Sequence, residues 1–174
     1  HPTCLYSKKP GRSFLISESA RGEGAILLNH KGERFVNELL PRDVVTKAIH
    51  EEMEKEGVDH EFISFENVPE EIIKGHFPHI YEKCLEEGYD ILKEPAPIVP
   101  AQHYFMGGVH VDHDSETTMP HLYAVGETSC NGVHGKNRLA SNSLLESLVF
   151  AKRAAQKIEL TQKGKEEHES NYHA

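Results

Sequence analysis

The chain has 174 residues, about one domain's worth, with 37% hydrophobic and 27% charged residues, so it can build a real core and is neither collagenous nor of low complexity. Its 28 acidic against 19 basic residues leave a net charge of -9, which argues against nucleic acid or an anionic membrane surface as the main partner. Three widely spaced cysteines, Cys4, Cys84 and Cys130, give no sign of a disulfide framework or a thiolate zinc site, and no apolar run approaches the ~18 residues of a membrane span.

From Ser13 to Asn37 short apolar runs, Phe14 to Ile16, Ala25 to Leu28 and Phe35-Val36, alternate with turn residues. The region reads as strands, with a hairpin turn at Asn29-His30-Lys31-Gly32. Pro41 then opens a helical pattern with Val45, Ala48, Ile49 and Met53 on one face, Glu51, Glu52, Lys55 and Glu56 on the other, and Gly57 as the stop. A second helical region follows the Asn67 cap and Pro69 and is interrupted at Pro78, predicting two short helices that end at Gly88. Pro95 to Pro100 contains three prolines, which predicts an extended crossing between two structural units and excludes a central strand.

Beyond it, Val109 to Asp112 reads as a strand and Leu122 to Val125 as a buried strand ending at Gly126-Glu127. Ser143-Leu144-Leu145-Glu146 matches a capping box and predicts a helix to about Leu160, followed by a polar, flexible tail over 161–174. His110, Asp112 and His113 are ligand-type residues, but a strand would send His110 and Asp112 to one face and His113 to the other, so no metal site is expected.

The segment from Gly126 to Glu146 carries the most chemistry: a strand, a loop with Gly126, Gly132 and Gly135 plus His134, Lys136, Asn137 and Arg138, and a capped helix. Glycines admit close backbone approach, and a helix N-terminus presents free N–H groups and a positive dipole end. A cofactor site and an ordinary strand-loop-helix connection both satisfy this pattern, and spacing alone does not decide between them.

The residues themselves carry a resemblance. Gly132 to Glu146, read as Gly-Val-His-Gly-Lys-Asn-Arg-Leu-Ala-Ser-Asn-Ser-Leu-Leu-Glu, is similar to the signature of the succinate dehydrogenase, fumarate reductase and L-aspartate oxidase flavoprotein family. Six further strings agree in order: His1-Pro2-Thr3, Ser17 to Gly24, Gly32 to Phe35, Pro41 to Val45, His103 to Gly108 and Leu122 to Glu127. Pro100 to Tyr104, Gly107 to Val109 and Arg138 to Glu146 resemble most the L-aspartate oxidase branch.

The resemblance implies an α+β fold: a capping, substrate-binding domain of the fumarate reductase flavoprotein type over 3–98, then the last strand and helix of a Rossmann-like FAD domain over 99–160. It implies a fragment of a cytoplasmic, FAD-dependent enzyme oxidising L-aspartate to iminoaspartate, with oxygen or fumarate as acceptor, on the way to quinolinate and NAD. Quinolinate synthase then becomes a pathway partner. Arg42 matches the proton donor or acceptor; His1, His103 and Arg138 match side chains that hold the dicarboxylate; Glu127 and the backbone of Ser143 and Leu144 match flavin contacts.

Taken singly, Arg42 reads as well as a surface arginine and His103 as a satisfied loop histidine. No G-x-G-x-x-G string occurs, so the part holding the ADP half of FAD is expected to lie outside these residues, and the chain, which starts without Met, to be a piece of a longer protein. Alone it is expected to be inactive, and to self-associate through Leu144, Leu145 and Leu148. A fumarate reductase or succinate dehydrogenase flavoprotein, and a noncatalytic dicarboxylate-binding module, are the alternatives.

Overall fold

A computed structural model describes residues 1–172 and divides the chain into two compact units, residues 1–103 and 104–174. The first is built on a four-stranded antiparallel sheet of β1 (Cys4–Leu5), β2 (Ile26–Leu28), β3 (Glu61–Ser64) and β4 (Ala96–Val99), in the order β1-β4-β3-β2. Its helices are α1 (Glu18–Gly22), α2 (Arg42–Glu56), α3 (Glu70–His76) and α4 (Pro78–Glu86).

The helix α2 starts directly after Pro41 and stops at Gly57, whose φ of 69° is a left-handed conformation that glycine adopts without a Cβ clash. Val45 and Ile49 from this helix are fully buried against Leu27, Ile63 and Ile98 of the sheet, in a core that Ile73, Ile80 and Cys84 of α3 and α4 complete. The break at Pro78 divides the second helical region in two, as its fixed φ and missing N–H dictate.

Several expectations are corrected. The 13–37 region is not all strand: Ser17 caps α1 by accepting from the Ser19 N–H at 3.2 Å. Phe35-Val36 forms no strand, and the hairpin past Gly32 closes on a single bridge between Leu28 and Arg34. The strand β3 was not predicted. The proline-rich segment is a central strand, not a crossing, because the Pro97 carbonyl accepts from Tyr6 N at 2.9 Å. The missing Pro97 donor faces the same side, opposite Tyr6 just past the end of β1 at Leu5, so the ladder forgoes only the return bond to the Tyr6 carbonyl.

Glu52 also departs from its predicted solvent face. It is 8% exposed, and its carboxylate accepts from Asn29 Nδ2 at 2.9 Å and Lys55 Nζ at 3.0 Å. Glu61 is a different case. The two-residue repeat of β3 puts it on the face of Ile63, fully buried, with neither carboxylate oxygen hydrogen-bonded. Burial, assisted by the charges of Glu56 and Glu52, pushes its pKa up to about 7.

The second unit holds the short parallel pair β5 (Val109–His110) and β6 (Ser129–Cys130), a 3-10 turn at Gly126–Thr128 packed on the long helix α5 (Ala140–Tyr172), and α5 itself. Leu122 to Val125 is not a buried strand: only Tyr123 bridges, to Glu116, while Leu122 and Val125 are exposed. The helix begins at Ala140, three residues ahead of the predicted cap, so Ser143 lies inside its first turn and its hydroxyl donates back to the Ala140 carbonyl at 2.8 Å. Leu144, Leu145 and Leu148 are exposed along it. The backbone stays helical past Leu160, and the end of the predicted tail, 173–174, lies outside the described residues. Among the described residues no helix is long and apolar enough to cross a membrane, and no group of three or more His, Cys, Asp and Glu could hold a metal ion.

Candidate active site

Within the first unit, His1 and His103 come together although they begin and end it. The His1 amino group donates to the Ala101 carbonyl at 2.7 Å and Ala101 N–H returns the bond to the His1 carbonyl at 3.0 Å, prolonging the pairing of β1 with β4. This pairing sets the two imidazoles edge to face, 5.6 Å apart and 87° between planes. The His1 Nε2 is buried without a hydrogen-bond partner, a state a buried polar atom keeps only at a cost unless a ligand completes it.

Arg42 opens α2, and its Nε donates to Glu18 of α1 at 2.7 Å. Arg21, one turn along α1 from Glu18, is 2% exposed; its Nη1 donates to the Glu38 carbonyl at 2.6 Å, while Nε and Nη2 have no partner. Burial lowers the pKa of the His1 amino group, and the positive charges of Arg42 and Arg21 lower it further. The Arg42 and Arg21 guanidinium groups thus lie close enough to the His1 amino group to act on it, with Glu18 compensating the charge of Arg42, and guanidinium and imidazole donors of this kind can hold a carboxylate. Sequence reasoning missed Glu18 and Arg21, both of which stand inside the Ser17 to Gly24 string.

Within the second unit, Phe105, Gly108, Val109, Glu127 and Thr128 line an open hollow of about 700 Å³. Glu127 Oε1 accepts the Phe105 N–H at 2.8 Å, which ties the His103 to Gly108 string to the 3-10 turn. Gly108 has a φ of 121°, and a Cβ built on it would lie 2.3 Å from the Thr128 carbonyl oxygen, so only glycine lets these two backbones meet. Arg138 sits with its guanidinium carbon 3.9 Å from the centroid of the Tyr104 ring, and its Nε donates to Ser143 Oγ at 2.9 Å. The Tyr104 phenol is pushed up by burial, with the Glu146 charge adding to it. Ser143 is buried and Leu144 exposed, both in the opening turn of α5.

These residues fit the flavin portion of FAD. The hollow is lined largely by apolar surface, Glu127 offers a carboxylate to hydroxyl groups, and the first turn of α5 provides unpaired N–H groups and a positive dipole end for an electron-rich ring edge. The backbone-to-backbone approach at Gly108 supplies a surface that a side chain would otherwise fill.

An L-aspartate oxidase of Clostridium perfringens is 60% identical over 159 residues, covering 91% of this chain and 36% of that protein, and one of Clostridium acetobutylicum is 55% identical, covering 91% and 37%. The chain thus spans a little over a third of the length of these relatives. Among solved structures, a variant of the E. coli quinol fumarate reductase superposes with a TM-score of 0.78 at 35% identity, over 90% of this chain and 30% of that one. A quinol-fumarate reductase with menaquinol molecules gives 0.79 at 36%, over 90% and 31%. Residues 1–144 match the family described as FAD binding domain, and with five-sixths of its length inside that match the chain belongs to the FAD binding domain family.

Proposed function

We propose that this chain is a segment of an FAD-dependent L-aspartate oxidase, a cytoplasmic enzyme that oxidises L-aspartate to iminoaspartate with oxygen or fumarate as acceptor, at the entry to quinolinate and NAD synthesis. The observation that carries the reading is the 60% identity with an L-aspartate oxidase across 91% of the chain, against 35–36% for the fumarate reductases. Residues 3–98 serve as the capping, substrate-binding part and 99–160 as a part of the FAD domain.

When bound, FAD supplies the two-electron acceptor for hydride from the substrate α-carbon. The chain's own residues bind and orient. His1, His103 and Arg138 hold the carboxylates of a four-carbon diacid; an imidazole whose Nε2 has no other partner, as in His1, is free to serve a ligand. Arg42 is the proton donor or acceptor beside the reacting carbon, passing one proton on for each it receives, and Glu18, bonded to its Nε, fixes the guanidinium plane. Glu127 and the backbone of Ser143 and Leu144 meet the flavin.

The test is steady-state turnover of the full-length protein carrying this chain, loaded with FAD and supplied with L-aspartate or succinate. L-aspartate is expected to drive oxygen uptake, or fumarate consumption without oxygen, while succinate binds without turnover. Turnover of succinate alone supports the fumarate reductase reading; dicarboxylate binding without any turnover supports the noncatalytic module.

A further inference from the structure

We infer that Tyr104, braced by His134 and Glu146, is a positioning residue that sets the orientation of Arg138 and through it the affinity for one substrate carboxylate. The inference rests on the proposed role of Arg138 as a dicarboxylate ligand and adds the side chains that hold it.

Arg138 is supported on two sides. Its guanidinium carbon lies 3.9 Å from the Tyr104 ring centroid, and its Nε donates to Ser143 Oγ at 2.9 Å. Its backbone N–H is also tied, to Met106 Sδ at 3.3 Å. Neither Nη group has a hydrogen bond among the described residues, so the fork that engages a carboxylate at two points stays open. The choice of support matters. A carboxylate holding Arg138 would occupy the same N–H groups as the substrate and compensate its charge, as Glu18 does for Arg42. An aromatic face attracts the cation through its quadrupole and takes none of the donors.

The Tyr104 ring is itself held. His134 meets it edge to face at 5.8 Å and 85°. The His134 Nε2 is buried, has no hydrogen bond, and lies 3.8 Å from Glu146 Oε2 on α5. Glu146, with its side chain 2% exposed, also accepts from Asn131 at the start of the loop. A column of Glu146, His134, Tyr104 and Arg138 thus runs from the packed side of α5 to the open guanidinium fork.

The experiment uses the FAD-loaded, full-length protein carrying this chain, with calorimetric titration of succinate alongside kcat and KM for L-aspartate. Tyr104→Leu is expected to weaken succinate binding by about 5- to 30-fold and to raise KM to match, with kcat, flavin content and Tm close to wild type. Tyr104→Phe keeps the ring face and is expected to bring affinity back to within about twofold. His134→Gln removes the ring edge behind an intact Tyr104 and is expected to cost about two- to fivefold in succinate affinity.

Arg138→Leu is the control that separates the two claims. If it abolishes succinate binding while Tyr104→Leu and His134→Gln bind as wild type, the positioning column is overturned and the site stands. If Arg138→Leu binds succinate normally, the site assignment itself is overturned. Should Tyr104→Leu fail to load flavin, His134→Gln decides.

Discussion

Arg42→Leu in the full-length protein is expected to lower kcat for L-aspartate by about 10²- to 10⁴-fold, the usual contribution of a positioned proton-transfer group. Stability is expected to change little. The pair with Glu18 is well bonded at 2.7 Å, but side-chain exposures of 26% and 51% place it among surface ion pairs worth about 0–1 kcal/mol. Arg42→Lys keeps the charge but loses the planar fork, so it is expected to recover only part of the rate. Stopped-flow kinetics with a parallel thermal melt checks this: a large fall in rate at constant Tm agrees with it, and an unchanged rate, or a fall matched by unfolding, contradicts the role.

Glu61→Gln is expected to stabilise the protein at about pH 8 and to do nearly nothing at about pH 4, with a difference between the two of up to ~3 kcal/mol. Glu61 is fully buried with both oxygens unpaired, and its pKa is raised to about 7. The native state therefore binds the proton more tightly than the unfolded chain does. The favourable contribution of the neutral acid is complete below the unfolded pKa of about 4.3 and is lost as pH rises through 7. Ionisation places a charge near Glu52 and Glu56 of α2, with Lys55 and His30 as the compensating neighbours. Glutamine keeps the shape without titrating. Urea unfolding of both proteins at the two pH values reads the effect, and an equal stability difference at each contradicts it.

Elements whose boundary is chemical were legible in the sequence. Pro41 and Gly57 delimit α2, and Pro78 divides α3 from α4, because a fixed φ, a missing donor or a positive φ acts locally. Elements whose definition is a partner were not. The acid at Glu61 breaks the apolar run of β3, and the pairing of Glu61, Phe62 and Ile63 with Ile98, Pro97 and Ala96, flanked by β2 and β1, makes both segments strands. Leu122 to Val125 shows the converse: apolar composition states a preference for burial but supplies no neighbour.

The candidate site divides the same way. Motif strings named Arg42, His1, His103, Arg138 and Glu127, because chemistry resides in residue type. Their supports, Glu18 on Arg42 and Tyr104 on Arg138, come from distant stretches of chain and required coordinates. Ser143 was read as a cap and is instead a hydroxyl inside the first turn of α5, bonded both to Arg138 and to the Ala140 carbonyl.

The most direct measurement is the visible absorbance of the FAD-loaded, full-length protein mixed anaerobically with L-aspartate. Bleaching of the oxidised flavin by L-aspartate, with no bleaching by succinate, is the expected result. A spectrum that L-aspartate leaves unchanged and succinate bleaches would contradict the account at its centre.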